Sequence, residues 1–140
     1  MGVVLDTDIC IGILNADIPK QAFLSRFGHE KLYLTSSTIF ELYRGLYKRL
    51  YQKNAISKQR FEIEHLRLNQ FIQNFTELAY TGKEAEITAK IYERLRDQGE
   101  EIGLFDCQIA GTILAHGLAQ LVTWNTKHFQ KIPELELLSI

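Results

Sequence analysis

Hydrophobic and polar positions along this chain follow two alternating rhythms. Short apolar runs recur at residues 3–5, 31–35, 75–80, 119–124 and 136–140, the lengths expected of strands. The first, Val3-Val4-Leu5, has no polar alternation and so predicts a strand buried on both faces, as in a parallel sheet. Between the runs, apolar residues fall at helical spacing. Residues 8–14 carry Ile9, Cys10, Ile13 and Leu14, until Asn15-Ala16-Asp17 breaks the pattern. Pro19 opens a second short helix that ends near Gly28. Ser36 or Ser37 is the expected N-cap of a helix over about 37–52. That helix places Ile39, Leu42, Leu46 and Leu50 on one face and Tyr43, Tyr47 and Tyr51 beside it. A helix over about 57–73, starting at Ser57, repeats Phe61, Leu68, Phe71 and Ile72 and completes a hairpin around Asn54. Residues 81–98 predict another helix, with Ala85, Ala89, Tyr92 and Leu95 inward and Gly99 as its stop.

A loop over 100–105 then leads to a helix opened by Asp106. Its inward face is Ile109, Ala110, Ile113 and Leu114, with Gly111 and Ala115 permitting close packing and Gly117 at its end. Residues 125–130 form a short helix or turn. Strands alternating with helices predict an α/β fold, a three-layer α/β/α sandwich around a mainly parallel five-stranded sheet. With 140 residues, two prolines and no repeat or linker, the expectation is a single domain over 1–140.

Composition changes this picture little. Sixteen basic residues against seventeen acidic ones leave a net charge of −1, so any surface for nucleic acid must be local. No apolar run approaches the roughly 20 residues of a membrane span, and Asp6 interrupts the first apolar run too early for a signal peptide. Cys10 and Cys107 stand apart in apolar surroundings, which suits free buried thiols and a cytoplasmic setting.

The candidate chemistry lies in acids at equivalent places. Asp6 follows the first strand, Glu41 lies early in the helix after the second, and Asp106 starts the helix leading to the fourth. In a right-handed parallel sheet these positions gather along one edge, and Asn125 falls there too. Each also has a plainer use: Asp6 and Asp106 as helix-capping or first-turn acids, Glu41 as a solvated helix residue. Carboxylates gathered in a cleft repel unless a cation or shifted pKa values compensate. All-oxygen donors suit Mg²⁺ or Mn²⁺. His29, His65, His116 and His128 are scattered, lack zinc-ligand spacing and read as surface or packing residues.

Four segments carry a resemblance. Leu5-Asp6-Thr7-Asp8, Thr38-Ile39-Phe40-Glu41-Leu42-Tyr43-Arg44-Gly45, Gly103-Leu104-Phe105-Asp106-Cys107-Gln108-Ile109-Ala110 and Leu121-Val122-Thr123-Trp124-Asn125-Thr126-Lys127-His128-Phe129 are similar to the successive motifs of PIN-domain ribonucleases. Among these the chain most resembles the VapC toxins of bacterial toxin–antitoxin pairs. The resemblance implies a Mg²⁺-dependent (or Mn²⁺-dependent) endoribonuclease with Asp6, Glu41 and Asp106 as catalytic acids, Asp6 and Asp106 binding the metal, and Thr7, Thr123 and Asn125 in support. It also implies a homodimer and a VapB-like antitoxin partner. Two departures stand out: Asn125 and, three on, His128 where many relatives have a fourth acid, and Glu100 and Glu101 in a loop that is often basic or neutral.

RNA must be held by positive charge. Residues 44–60 hold Arg44, Lys48, Arg49, Lys53, Lys58 and Arg60 without an acid. With Tyr43, Tyr47 and Tyr51 these could track RNA, receive the antitoxin, or form an ordinary solvated face. Two other functions remain open from sequence. One is a haloacid-dehalogenase-like phosphatase using Asp6 and Asp8; the other is a PIN-fold binding module whose acids no longer work.

Overall fold

The computed structural model describes residues 2–140. The chain runs β1 (Gly2–Leu5), α1 (Thr7–Leu14), α2 (Lys20–Phe27), β2 (Lys31–Thr35), α3 (Ser36–Tyr51), α4 (Lys58–Ile72), β3 (Thr76–Leu78), α5 (Gly82–Asp97), α6 (Leu104–Ala115), β4 (Gln120–Val122), α7 (Thr126–Phe129) and β5 (Glu136–Leu138). All strand pairs are parallel, in the order β3-β2-β1-β4-β5. The direction of strand addition reverses at β1, so the ends of β1 and β4 flank the topological switch point where such sheets bind ligands.

The pleat divides the core in two. Val4 and Leu121 point to the α5–α6 side, where they meet Ile91, Leu95, Ile109 and Ile113. Val3, Leu5 and Val122 point to the other, where Ile9, Phe23, Phe27, Leu42, Leu46 and Leu68 cover them. With both faces covered, Val3, Val4 and Leu5 are almost completely buried, as the unalternating run predicts.

Several local expectations shift. The N-cap of α3 is Thr35, whose hydroxyl accepts the Thr38 N–H at 3.1 Å, because the last residue of β2 is already extended. Ser36 and Ser37 serve elsewhere: Ser36 donates to Glu77 at 2.6 Å, and Ser37 donates to Gln108 at 3.0 Å, tying α3 to α6. The inward face of α5 is Glu84, Thr88, Ile91 and Leu95; of the expected Ala85–Ala89–Tyr92–Leu95 stripe, Leu95 is buried, Tyr92 packs at the margin of the core and Ala89 is exposed. Two polar residues can face inward because their groups are paired: Glu84 reaches back to the Thr81 N–H, and Thr88 donates to the Glu84 carbonyl. The α6 helix begins at Leu104 over a Gly103 N-cap, so Asp106 sits inside its first turn instead of opening it. Gly99 and Gly117 do end α5 and α6, with φ of 70° and 74°.

Candidate active site

Asp6 is where the plain and the chemical readings meet. Its Oδ1 accepts the Thr7 N–H at 2.8 Å and caps α1. Its Oδ2 accepts the Thr123 hydroxyl at 2.7 Å, and its backbone N–H bonds the Val122 carbonyl at 3.0 Å. The residue is only 5% exposed. Burial, reinforced by the Asp8 charge, pushes its carboxyl from 3.8 up to about 7, against the opposing pull of the Thr123 and Thr7 hydrogen bonds.

Glu41, in the second turn of α3, accepts the Thr7 hydroxyl on Oε1 at 2.6 Å, and the Thr38 hydroxyl stands 3.1 Å from that of Thr7. Burial raises its carboxyl as well, opposed by the Thr7 bond, with the charges of Asp106 and Asp8 adding and Arg44 subtracting. Asp106, near the positive end of the α6 dipole, has its Oδ2 at 2.9 Å from His128 Nδ1 and 3.4 Å from Asn125 Nδ2. Its negative charge acts on Asp6, Asp8 and Glu41 alike. The structure therefore brings Asp6, Glu41 and Asp106 within electrostatic reach at the carboxyl end of the sheet.

Asp8 joins them. Sequence reasoning weighed it only as part of a phosphatase pair, yet its Oδ2 accepts the Trp124 N–H at 3.0 Å beside the same cluster. Its Oδ1 is buried without a hydrogen-bond partner, and burial raises its carboxyl too. His128, expected as a surface or packing residue although it stands three residues after Asn125, one helical turn away, also reaches the cluster. Thr123 donates to Asp6 Oδ2 and accepts the Asn125 backbone N–H at 2.9 Å, which ties the residues after β4 to the end of β1.

An all-carboxylate cluster with an orphaned buried oxygen and raised carboxyl pKa values calls for a cation. Asp6, Asp8, Glu41 and Asp106 are the groups that could hold one. Among the described residues no three His, Cys, Asp or Glu side chains stand close enough to form a ready-made metal cage. The all-oxygen donor set suits a hard ion that keeps most of its waters, and it does not suit zinc.

The surface candidates divide. Arg44, Lys48, Tyr47 and Tyr51 are exposed along α3 and, with Phe40 and Tyr43, line one shallow depression. Tyr43 donates to Asn69 and Arg49 lies 3.7 Å from Glu64, so both also brace the α3–α4 hairpin. Phe40 and Phe105, each preceding a site acid, stack with centroids 5.4 Å apart.

Comparison with known proteins agrees with this geometry. The family model described as PIN domain matches residues 3–135. A protein named ribonuclease VapC from Rickettsia bellii is 30% identical over 140 residues, covering 100% of this chain and 97% of its own. The tRNA(fMet)-specific endonuclease VapC of Shigella flexneri is 27% identical over 129 residues, 92% of this chain and 90% of its own. Among solved structures, VapBC2 from Rickettsia felis bound to a DNA fragment from its promoter superposes with a TM-score of 0.82, at 25% identity, covering 100% of this chain and 99% of that one. With the family model running from within β1 to the residue before β5 and the acids gathered at one sheet edge, the chain belongs to the PIN-domain family, on its VapC ribonuclease branch.

Proposed function

We propose that this protein is a metal-dependent endoribonuclease that serves as the toxin of a toxin–antitoxin pair. The observation that carries the reading is the convergence of Asp6, Asp8, Glu41 and Asp106 at the β1–β4 switch point, with three of the four carboxyls raised by burial and mutual charge. Asp6 and Asp106 hold a Mg²⁺ or Mn²⁺ ion, and the unpaired Asp8 oxygen is a further donor. When bound, the ion supplies an acidified water and neutralises charge on the scissile phosphate. The chain's own residues do the rest. Thr7 and Thr123 fix the rotamers of Glu41 and Asp6 through single hydroxyl bonds. Glu41 orients the attacking water. Cleavage breaks the bond to the 3′ oxygen, leaving a 5′-phosphate and a 3′-hydroxyl.

Arg44 and Lys48 offer the phosphate contacts, and Tyr47 and Tyr51 offer stacking faces. By likeness to the VapBC assemblies, a VapB-like antitoxin is the cognate partner, and the toxin is a cytoplasmic homodimer built on residues 1–140 as one domain. Among the described residues no helix is long and apolar enough to cross a membrane. The PIN-domain match over residues 3–135 stands against a phosphatase of the haloacid-dehalogenase kind.

The test is cleavage of RNA by the purified chain with Mg²⁺, with Mn²⁺ and with chelator. Metal-dependent cuts with 5′-phosphate ends support the reading. Chelator-resistant cleavage overturns the metal dependence, and no cleavage with either ion overturns the reading and favours an inactive binding module.

A further inference from the structure

His128 Nδ1 lies 2.9 Å from Asp106 Oδ2, and the ring sits on α7 next to Phe129, which is wholly buried. An ionised carboxylate only accepts hydrogen bonds, so this contact requires the proton on Nδ1. The same Nδ1 stands 2.9 Å from the Asn125 side-chain amide. With Nδ1 as donor, the amide must present its oxygen to the ring, the exchanged assignment of its two near-equivalent atoms. Asn125 then orients His128, and its own 3.4 Å contact with Asp106 is incidental. Among the described residues the His128 bond to Oδ2 is then the one side-chain hydrogen bond made to Asp106, which leaves Oδ1 open.

We propose that His128 is a positioning residue for the divalent-ion site: its Nδ1–H anchors Asp106 Oδ2 and so selects Oδ1 as the oxygen presented to the ion. The inference rests on the metal-dependent reading of the acid cluster and adds to it a residue outside the acids. A hydrogen-bonded neighbour that locks one carboxylate oxygen removes rotamer freedom the ion would otherwise have to overcome. Losses of about 10- to 100-fold in metal affinity or activity are the usual scale for such a partner.

Two amide variants separate a role through Nδ1 from any other. The Asn side-chain nitrogen overlays Nδ1 of histidine, whereas that of Gln overlays Nε2. Mn²⁺ affinity of the full chain, read by electron paramagnetic resonance, and steady-state RNA cleavage are measured for wild type, His128→Ala, His128→Gln, His128→Asn and Asp106→Asn. The expected result is a Mn²⁺ affinity ~10-fold or more weaker for His128→Ala and His128→Gln, with His128→Asn within a few-fold of wild type. The kcat values should fall in parallel while KM for RNA stays, since no RNA contact is lost. Histidine ¹⁵N spectra of the metal-free protein should show His128 protonated on Nδ1. Wild-type Mn²⁺ affinity in His128→Ala, rescue by Gln in place of Asn, or an Nε2-protonated ring overturns this inference while leaving the metal site intact. Failure of the wild type to bind Mn²⁺, or binding indifferent to Asp106→Asn, overturns both.

Discussion

The Thr123 hydroxyl donates to Asp6 Oδ2 across 2.7 Å, joining the ends of β4 and β1 over 117 residues of sequence. Both residues are buried, so with the Asp6 carboxyl ionised the bond is charge-assisted in a water-poor setting, where such bonds contribute roughly 1.5–3 kcal/mol. Removing the donor while keeping the shape isolates that term. Thr123→Val should raise the Asp6 carboxyl above its already elevated value, because the Thr123 bond is the largest influence lowering it. Activity at neutral pH should drop by about tenfold, the equivalent of 1.4 kcal/mol. Thr123→Ser should restore it. Equal activity in Thr123→Val and wild type would remove this bond from the mechanism.

Asp6→Asn and Asp106→Asn address the ion. Each replaces a carboxylate oxygen by an amide nitrogen that cannot ligate Mg²⁺, so cleavage should fall by ~10²-fold or more. The double variant should be little worse than either single one, since both serve one ion. The fold should hold: Asn is an adequate N-cap at position 6, and it relieves repulsion from Asp8. Circular dichroism should therefore show full helix content in variants without activity. An Asp6→Asn chain cleaving RNA at the wild-type rate in Mg²⁺ removes Asp6 from the ion's ligands.

The pH dependence of stability has a definite sign in the metal-free protein. Asp6 holds its proton up to about 7 when folded, against an ordinary value of 3.8. Between those values the unfolded chain releases a proton that the native state keeps, so stability falls as pH rises. The contribution is complete below about 4 and gone above about 7. Asp8 and Glu41, also raised, act in the same direction. The full Asp6 shift corresponds to roughly 4 kcal/mol at 1.36 kcal/mol per unit, an upper bound for a group beside other acids. Melting in chelator should drop by at least ~5 °C from pH 5 to pH 8, and Asp6→Asn should flatten the profile. Saturating Mg²⁺ should reverse the trend, because it binds the ionised acids. A metal-free profile that rises over this interval contradicts the assignment.

How much of this was legible in the sequence follows from which forces act locally. The unalternating Val3-Val4-Leu5 run marks a central strand because both sheet faces are covered, a fact that periodicity carries. Gly99 and Gly117 mark helix ends because only a positive φ fits there. The rotated face of α5 was not legible: Glu84 and Thr88 face inward through bonds to Thr81 and to the helix's own backbone, whereas a hydropathy pattern counts both as surface. Nor was the His128–Asp106 contact, which depends on how α6 and α7 meet. The acids themselves were readable from their position after strands. Their partners were not, since Thr7 reaches Glu41 across 34 residues and Thr123 reaches Asp6 across 117.

Gly111 provides the last test, of how tightly α6 must sit for Asp106 to reach the cluster. A Cβ built there would lie 2.1 Å from Thr88 Oγ1 and 2.9 Å from the Thr88 Cα and N. The hydroxyl could swing away, but the backbone of α5 could not. Gly111→Ala must therefore push the two helices apart, at a cost of about 1–3 kcal/mol for overpacking. The helix-propensity gain of up to about 1 kcal/mol offsets only part of it. Gly45 in α3 supplies the contrast, because nothing lies within 4 Å of a Cβ there. Gly45→Ala should stabilise by about 0.5–1 kcal/mol through the same propensity term with no clash. Opposite signs are expected in urea unfolding of the two variants. Thr88→Ala should rescue Gly111→Ala only in part, because the Thr88 backbone contacts remain. If Gly111→Ala is as stable as Gly45→Ala, the α5–α6 contact is looser than this packing requires, and α6 has room to carry Asp106 out of register with Asp6.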